Sequence, residues 1–490
     1  MREKHQAAWR ELEFPATLGH LIDGEIGANP ERTIPVHDPS TGETLAEIPQ
    51  ATSAEIDAAV AASRVAQEKW RAMAPGKRAK AMADLAALLK ERSRRFTTLE
   101  ALDVGMPVMF SKRFSTKAMV TQLRYYGEWI DKVDGDVVSA GGENESLTLV
   151  LREPVGVVGA IIPWNTPCLF LGSKIAPALA AGCSVILKPP ELAPLCGVEL
   201  ARAVVDAGMP KGLVQVLHGD GAVGAALCAH PGVDKIAFTG GTARGRDVMA
   251  QSAGTLKKLS LELGGKSPHI LFEDADVNKA TMMATYGMFS LAGQACAAGS
   301  RLYVHASLYE GFVKRVVGML GMLRPADPLS GGTQLGPLIS EGHLTRVHGI
   351  VEEARSGGAT VLAGGERASL ESGAFYQPTI LADVDPTSRA AREEIFGPVL
   401  CVSSFEDEAD VLARANDTEY GLAAGLWTRD VSRALRMSRK LNAGMVWVNS
   451  YGNIPIQAPF GGHKQSGFGR DGGRDGILEY LESKTVHVAL

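Results

Sequence analysis

The stretch VGVVGAIIPWN (residues 155–165) passes from an apolar run into a proline, an indole and a side-chain amide. A short apolar segment rich in Val and Ile, without polar alternation, reads as a strand buried on both faces. Proline has no N–H for a sheet ladder, so Pro163 ends the strand. Trp164 and Asn165 then stand just beyond a strand's carboxyl end, where open α/β sheets bind their ligands.

Outward from this point the pattern repeats. Strands are predicted at 157–162, 184–188, 213–217, 235–238 and 256–261, their starts separated by roughly 21 to 29 residues, about the length of a βαβ unit. That spacing implies parallel pairing, with helices such as 197–207 and 242–252 covering both faces of a doubly wound sheet. Upstream, 53–69 and 76–100 read as long helices, the first opened by Thr52 and Glu55 in capping-box spacing. After Glu262 a second alternating region follows, with helix 278–291, strand 301–304, helix 308–323 and strands 360–362 and 399–402. The fold class is therefore α/β: a Rossmann-like open parallel sheet followed by a second α/β unit. The closing TVHVAL (485–490) reads as a terminal strand available to pair with another subunit.

A chain of 490 residues exceeds what one hydrophobic core sustains, so two or three domains are expected. A net charge of -5 and the lack of a basic stripe exclude a nucleic-acid footprint. The charged N-terminus MREKHQAAWRELEFP has no apolar core of the kind a secretory signal needs, which points to a cytoplasmic protein. Two uncharged runs, 154–173 and 282–299, are broken by Pro, Gly and polar residues, so they read as buried segments and no membrane span is expected. The six cysteines form no CxxC pair and the histidines no HExxH, which argues against a metal site.

Six further motifs carry chemistry. KPPE (188–191) ends a strand with a cation and an anion, and a carboxylate there suits ribose hydroxyls as well as an ordinary ion pair. FTGGTARG (238–245) is strand, glycine turn and helix start, a place for phosphate. LELGGKSP (261–268) sets Glu262 at the end of an apolar strand, where a carboxylate needs either an ion partner or a task such as general base. GQACAAGS (293–300) leaves one thiol, Cys296, among residues with almost no side chain. EEIFGP (393–398) and PFGGHKQSGFGRDGG (459–473) are loop-like.

Taken together with PWN, in this order and spacing, these motifs resemble the NAD(P)-dependent aldehyde dehydrogenase superfamily, over nearly the whole chain. The resemblance implies that Cys296 attacks the aldehyde as thiolate, with Asn165 and the Cys296 amide holding the oxyanion. It implies that Glu262 activates the water that hydrolyses the thioester, and links Lys174 with residue 471 in proton exit. Cofactor contacts carry over to Ile161, Ile162, Trp164, Lys188, Glu191, Gly240, Gly241, Thr242, Gly245, Leu263, Glu394 and Phe396. Glu191 would accept from the adenosine ribose and repel a 2′-phosphate, which favours NAD over NADP without excluding the latter. The family fold implies cofactor binding by 1–130 and 153–262, catalysis by 263–445, and an oligomerisation flap of 131–152 and 472–490 in a homodimer or homotetramer.

Some positions depart from the family pattern. Gly241 stands where Ser is common, Pro190 where a small residue is common, and Asp471 where many members have Glu. Thr166, Ser173 and Ser290 stand where members with a narrow substrate tunnel often carry aromatics, while Tyr286 and Phe460 remain as walls. A wide pocket for a bulky apolar or aromatic aldehyde follows, unless neighbouring loops refill the space. A semialdehyde substrate and acylation of coenzyme A are the rival enzyme readings; a non-catalytic relative and a cysteine hydrolase are the remote ones. The wide pocket predicts that aromatic aldehydes exceed short aliphatic ones in kcat/KM across a substrate panel; the opposite ranking refutes it.

Overall fold

The computed structural model of the chain describes residues 1–15, 17–27, 32–139 and 146–490. Part of the expected flap, 140–145, lies outside the described residues. All five strands of the first repeat form, as β1 (Val157–Ile161), β2 (Ser184–Lys188), β3 (Val214–Val216), β4 (Lys235–Thr239) and β5 (Lys258–Glu262). They pair in parallel in the order β5-β4-β1-β2-β3. The chain therefore leaves β3 and returns on the far side of β1, and a crevice opens beyond the carboxyl ends of β1 and β4. Antiparallel additions extend both edges: His20–Ile22 and Glu25–Gly27 beyond β3, and Gly467–Phe468 beside β5.

Every residue of β1, β2 and β4 is buried, as expected of a parallel sheet covered on both faces. Helix α1 (Pro167–Ala181) begins on a proline, whose missing N–H costs nothing in the first turn, and nearly all of its side chains are buried. The uncharged run 154–173 is thus a strand end, β1, a turn and the start of an enclosed helix. Among the described residues, no helix is long and apolar enough to cross a membrane. Helix α2 (Thr242–Ser252) follows β4, and α3 (Val277–Phe289) opens the second unit with Asp276 accepting from the Lys279 amide as its cap.

The second sheet comprises β6 (Pro268–Leu271), β7 (Arg301–His305), β8 (Thr360–Ala363), β9 (Thr379–Ala382), β10 (Val399–Phe405), β11 (Ala423–Trp427) and β12 (Met445–Val448). Its order is β8-β9-β10-β7-β6-β11-β12, parallel throughout except at β8. The five residues between β5 and β6 carry the chain from one sheet to the other, so Glu262 stands at the boundary between them.

Three expectations change. Helix 76–100 is broken: Pro75–Glu91 ends at Arg92, where Ser93 Oγ donates to the Lys90 carbonyl at 2.6 Å, competing with the helical ladder, and Ser93–Leu99 follows. The strand expected from 256 begins at Lys258, because Leu256 takes a left-handed φ of 53° after a short 3-10 turn. The terminal strand is longer than expected, Leu481–Ala489, and pairs antiparallel along its whole length with Ser146–Pro154 of the same chain, leaving only its outer edge open.

The periodicity also missed an N-terminal helix, Arg2–Glu11, that docks through His5. Its Nδ1 lies 2.6 Å from Asp38 Oδ2 and its Nε2 2.9 Å from Asp327 Oδ1. Burial works against the charged imidazole, but Asp327 and Asp38 outweigh it and raise the pKa to about 9. The resulting stabilisation is complete below the ordinary 6.5 and is lost as pH rises through about 9. Denaturant melts of His5→Gln against the wild type are expected to differ by about 1–3 kcal/mol at pH 6 and far less at pH 10.

Candidate active site

A cavity of about 610 Å³ opens beyond the ends of β1, β4 and β5 and is walled opposite by residues of the second unit. Ten of the expected cofactor residues line it: Ile161, Ile162, Trp164, Lys188, Glu191, Gly240, Gly241, Leu263, Glu394 and Phe396. Asn165, Glu262 and Cys296 line it too, from three distant parts of the chain. Thr242 and Gly245 stand behind the wall. Thr242 Oγ1 donates to the Gln465 carbonyl at 3.2 Å, and a Cβ on Gly245 would sit 2.6 Å from Leu263 Cδ2, so glycine there lets α2 lie close to the β5 end.

The phosphate-binding expectation can be tested on the backbone. A Cβ on Gly241 would meet nothing within 4 Å, so the turn faces open space at the start of α2, whose first N–H groups lack helical acceptors. Lys188 Nζ donates to Glu191 Oε2 at 2.9 Å, which orients the carboxylate at the cavity edge. The Trp164 ring meets Phe396 edge-on, with centroids 5.3 Å apart. These features fit a dinucleotide with its phosphates at α2.

The reactive groups are held by close backbone approaches. Gly265 donates its N–H to Glu394 Oε1 at 2.9 Å, and a Cβ on Gly265 would collide with the Cys296 carbonyl. Cys296 itself is partly exposed, whereas the other five cysteines are buried. Burial first, then the negative charges of Glu394 and Glu262, push its thiol up to about 12, so the thiolate is scarce in this cavity as it stands. Burial also raises Glu394 to about 7, against the Gly265 hydrogen bond. Glu262 is 4% exposed, and neither of its oxygens has a hydrogen-bond partner within the protein. Burial, then the charge of Asp471, raises its pKa well above the ordinary value, with Lys174 and Arg470 opposing.

Lys174 does not reach the cavity. It is fully buried behind it, and its Nζ lies 2.8 and 2.7 Å from the two Asp471 oxygens, so the shorter acid still closes the pair. The five residues expected to shape a substrate pocket are not gathered into the described cavity. Thr166 and Ser173 are buried, Ser173 Oγ donating to the Phe170 carbonyl at 3.4 Å. Ser290 caps α3, the Tyr286 hydroxyl lies 3.4 Å from Gln334 Oε1, and Phe460 pairs through its backbone with Asp471.

Sequence reasoning missed three contributions to the cavity wall. Arg244, Asp247, Val248 and Gln251 share one face of α2, a helical spacing present in the sequence. Gly221, Gly224 and Ala225 provide a wall of small residues. From helix α4 (Glu341–Ser356), His343 Nε2 meets the Phe396 carbonyl at 2.7 Å while Arg346 donates to Ile395 and Glu394 carbonyls, holding the EEIFGP loop. No local signal marked these two. No metal site was expected; one fully buried group, Glu100, Cys168 and Cys196, has donor atoms within 4.8 Å of one another, its carboxylate already accepting from Ser111, Ser115 and the Cys168 amide.

A dinucleotide-shaped cleft that ends on a thiol and an unpaired acid has the chemistry of a thiol-dependent oxidoreductase. Comparison with known proteins narrows that class. The model for "Aldehyde dehydrogenase family" matches residues 26–486. An aldehyde dehydrogenase of Alternaria alternata is 41% identical over 98% of this chain and 96% of its own. The NAD+ complex of the Bacillus cereus aldehyde dehydrogenase superposes with a TM-score of 0.95 at 40% identity, covering 100% of this chain and 99% of that one. An E. coli NADP-dependent enzyme does so at 0.95 and 37% identity, covering 98% and 99%. The chain belongs to the aldehyde dehydrogenase family.

A carboxyl takes up a proton only when ionised, so a base at Glu262, with its raised pKa, predicts that turnover falls as pH drops through a value well above 4.5. Glu262→Gln should lower kcat by about 10²–10⁴ and flatten that acid limb, read from kcat against pH.

Proposed function

We propose that this chain oxidises an aldehyde to the carboxylic acid with NAD(P)+, through a covalent adduct on Cys296. The observation that carries the reading is the pairing, in one cavity, of the thiol with a buried carboxyl that has no partner of its own. The Cys296 thiolate attacks the carbonyl carbon; a C–S bond forms and the oxygen becomes an oxyanion. Asn165 Nδ2 and the Cys296 N–H donate to that oxyanion, where preorganised donors are worth most. As the oxyanion collapses to a carbonyl, the C–H bond of the former aldehyde carbon breaks, its hydrogen leaves as hydride and a thioester remains on Cys296; NAD(P)+ held in the cavity would accept that hydride, and its oxidised ring would add a positive charge that favours the thiolate. Glu262 then removes a proton from water, the water attacks the thioester carbon, the C–S bond breaks, and the acid leaves Cys296 as thiolate. Lys174 and Asp471 offer a route by which the proton on Glu262 departs, supported by their ion pair behind it.

Glu191 supports NAD as the preferred cofactor, with NADP as the second choice. The unpaired Glu262 supports hydrolysis over transfer to coenzyme A, since an acylating enzyme needs no water-activating base. The substrate reading remains a bulky apolar or aromatic aldehyde, with a semialdehyde as the alternative. We assign cofactor binding to 1–130 and 153–262, chemistry to 263–445 and self-association to 131–152 and 472–490, the last supported by the open outer edge of Leu481–Ala489. A cytoplasmic homodimer or homotetramer with no membrane or nucleic-acid partner is the corresponding assembly.

NADH formation over an aldehyde panel with each dinucleotide tests the reading. The wild type is expected to give acid as the only product whether or not coenzyme A is present, and Cys296→Ala is expected to abolish turnover. Turnover undiminished in that variant overturns the covalent mechanism.

A further inference from the structure

The residues just before Cys296 adopt an unusual conformation. Leu291 and Ala292 both have a φ of 54°, and Gly293 follows at 70°, so three consecutive residues are left-handed. For residues bearing a side chain this conformation is unfavourable and persists only where the surroundings over-determine it. Gly293 leaves no room for a side chain: a Cβ there would collide with the Gly397 carbonyl.

Gln294 supplies the over-determination. It is 3% exposed, and its side chain reaches two segments of chain. Its Nε2 donates to the Leu291 carbonyl at 3.1 Å and, at 3.4 Å, to the Pro337 carbonyl, while its Oε1 accepts from the Ile339 N–H at 2.9 Å. Its own carbonyl accepts from Asn165 Nδ2 at 2.9 Å. A primary amide carries two N–H groups, so this bond fixes the rotation of the Asn165 amide and leaves one donor for another acceptor. Leu291 and Ile339 also pack together with Trp164 against them, tying the same contacts to the PWN turn. One side chain thus fixes the turn leading to Cys296, and the carbonyl of the same residue fixes Asn165.

We propose that Gln294 is a positioning residue for the oxyanion hole, setting both of its donors, the Asn165 amide and the Cys296 N–H. This rests on the covalent mechanism proposed above. Gln294 is buried and absent from the cavity wall, so its loss acts on the chemical step and leaves binding alone.

The test is Gln294→Met, similar in length and uncharged but unable to hydrogen-bond through either amide atom. The expected result is a fall in kcat of about 10²-fold, with the NAD dissociation constant and the aldehyde KM within about two-fold of the wild type. In an Asn165→Ala background the same change should cost no more than about three-fold, because residues acting as a unit are not additive. Should Gln294→Met fail to fold, as judged by Tm and NAD binding, Gln294→Glu replaces it, retaining the bond from Ile339 and losing both N–H donors. A kcat within about two-fold of the wild type, or a full loss that persists in the Asn165→Ala background, overturns the proposal. Cys296→Ala in the same assay separates the two readings: undiminished turnover by that variant defeats the covalent mechanism, whereas its inactivity beside a fully active Gln294→Met defeats this inference alone.

Discussion

The site depends on the reversal of strand order beside β1. Because β2 and β3 lie on one side and β4 and β5 on the other, the carboxyl ends of β1, β4 and β5 share one rim. Each end delivers a different group: an amide after β1, a glycine turn after β4, a carboxyl at the last residue of β5. None of these residues is near another in sequence. Parallel pairing alone puts them within one cavity, and a slip of one residue in the β4–β5 register would turn Glu262 to the opposite face. The architecture that stabilises the sheet is therefore the one that aligns the chemistry.

The electrostatics of the cavity run against stability. Glu262, buried, and Glu394, half-buried, stand beside a thiol, and both have pKa values raised by lost hydration. A folded protein with no catalytic task would be expected to pair such groups or replace them with apolar ones. Their retention matches the rule that local inconsistencies concentrate at functional sites. The Cys296 thiol is pushed up first by burial and then by the charges of Glu394 and Glu262, which oppose a further negative charge beside them.

How much of this could be read beforehand depended on the range of the interactions. The strands were legible because fully buried parallel strands are apolar through their middle positions, and the capping box at Thr52 and Glu55 forms as its spacing required, with the Thr52 N–H 2.8 Å from Glu55 Oε2. Asn165, Glu262 and Cys296 could be singled out because they stand just past a strand, at a strand's last residue and in a small-residue loop, and the fold brings all three into one cavity. His343 and Arg346 were not, since they act on a loop about fifty residues away through its carbonyls, which leave no trace in the pattern. The break at Arg92 and the left-handed Leu256 depend on individual hydrogen bonds and dihedrals that helix and strand periods do not encode. The residues assigned to the substrate pocket came only from positional analogy, and none of them lines the described cavity.

The short strand Gly467–Phe468 pairs with Leu261 and Glu262, the last two residues before the chain departs for the second sheet. The intervening two hundred or so residues thus form an excursion whose exit and return are stitched to each other by a two-residue ladder. A segment anchored at both ends of the same seam cannot slide across its neighbour or peel away from one side. The seam runs through the backbone of Glu262, so a rotation of the second unit about it would displace that carboxyl least.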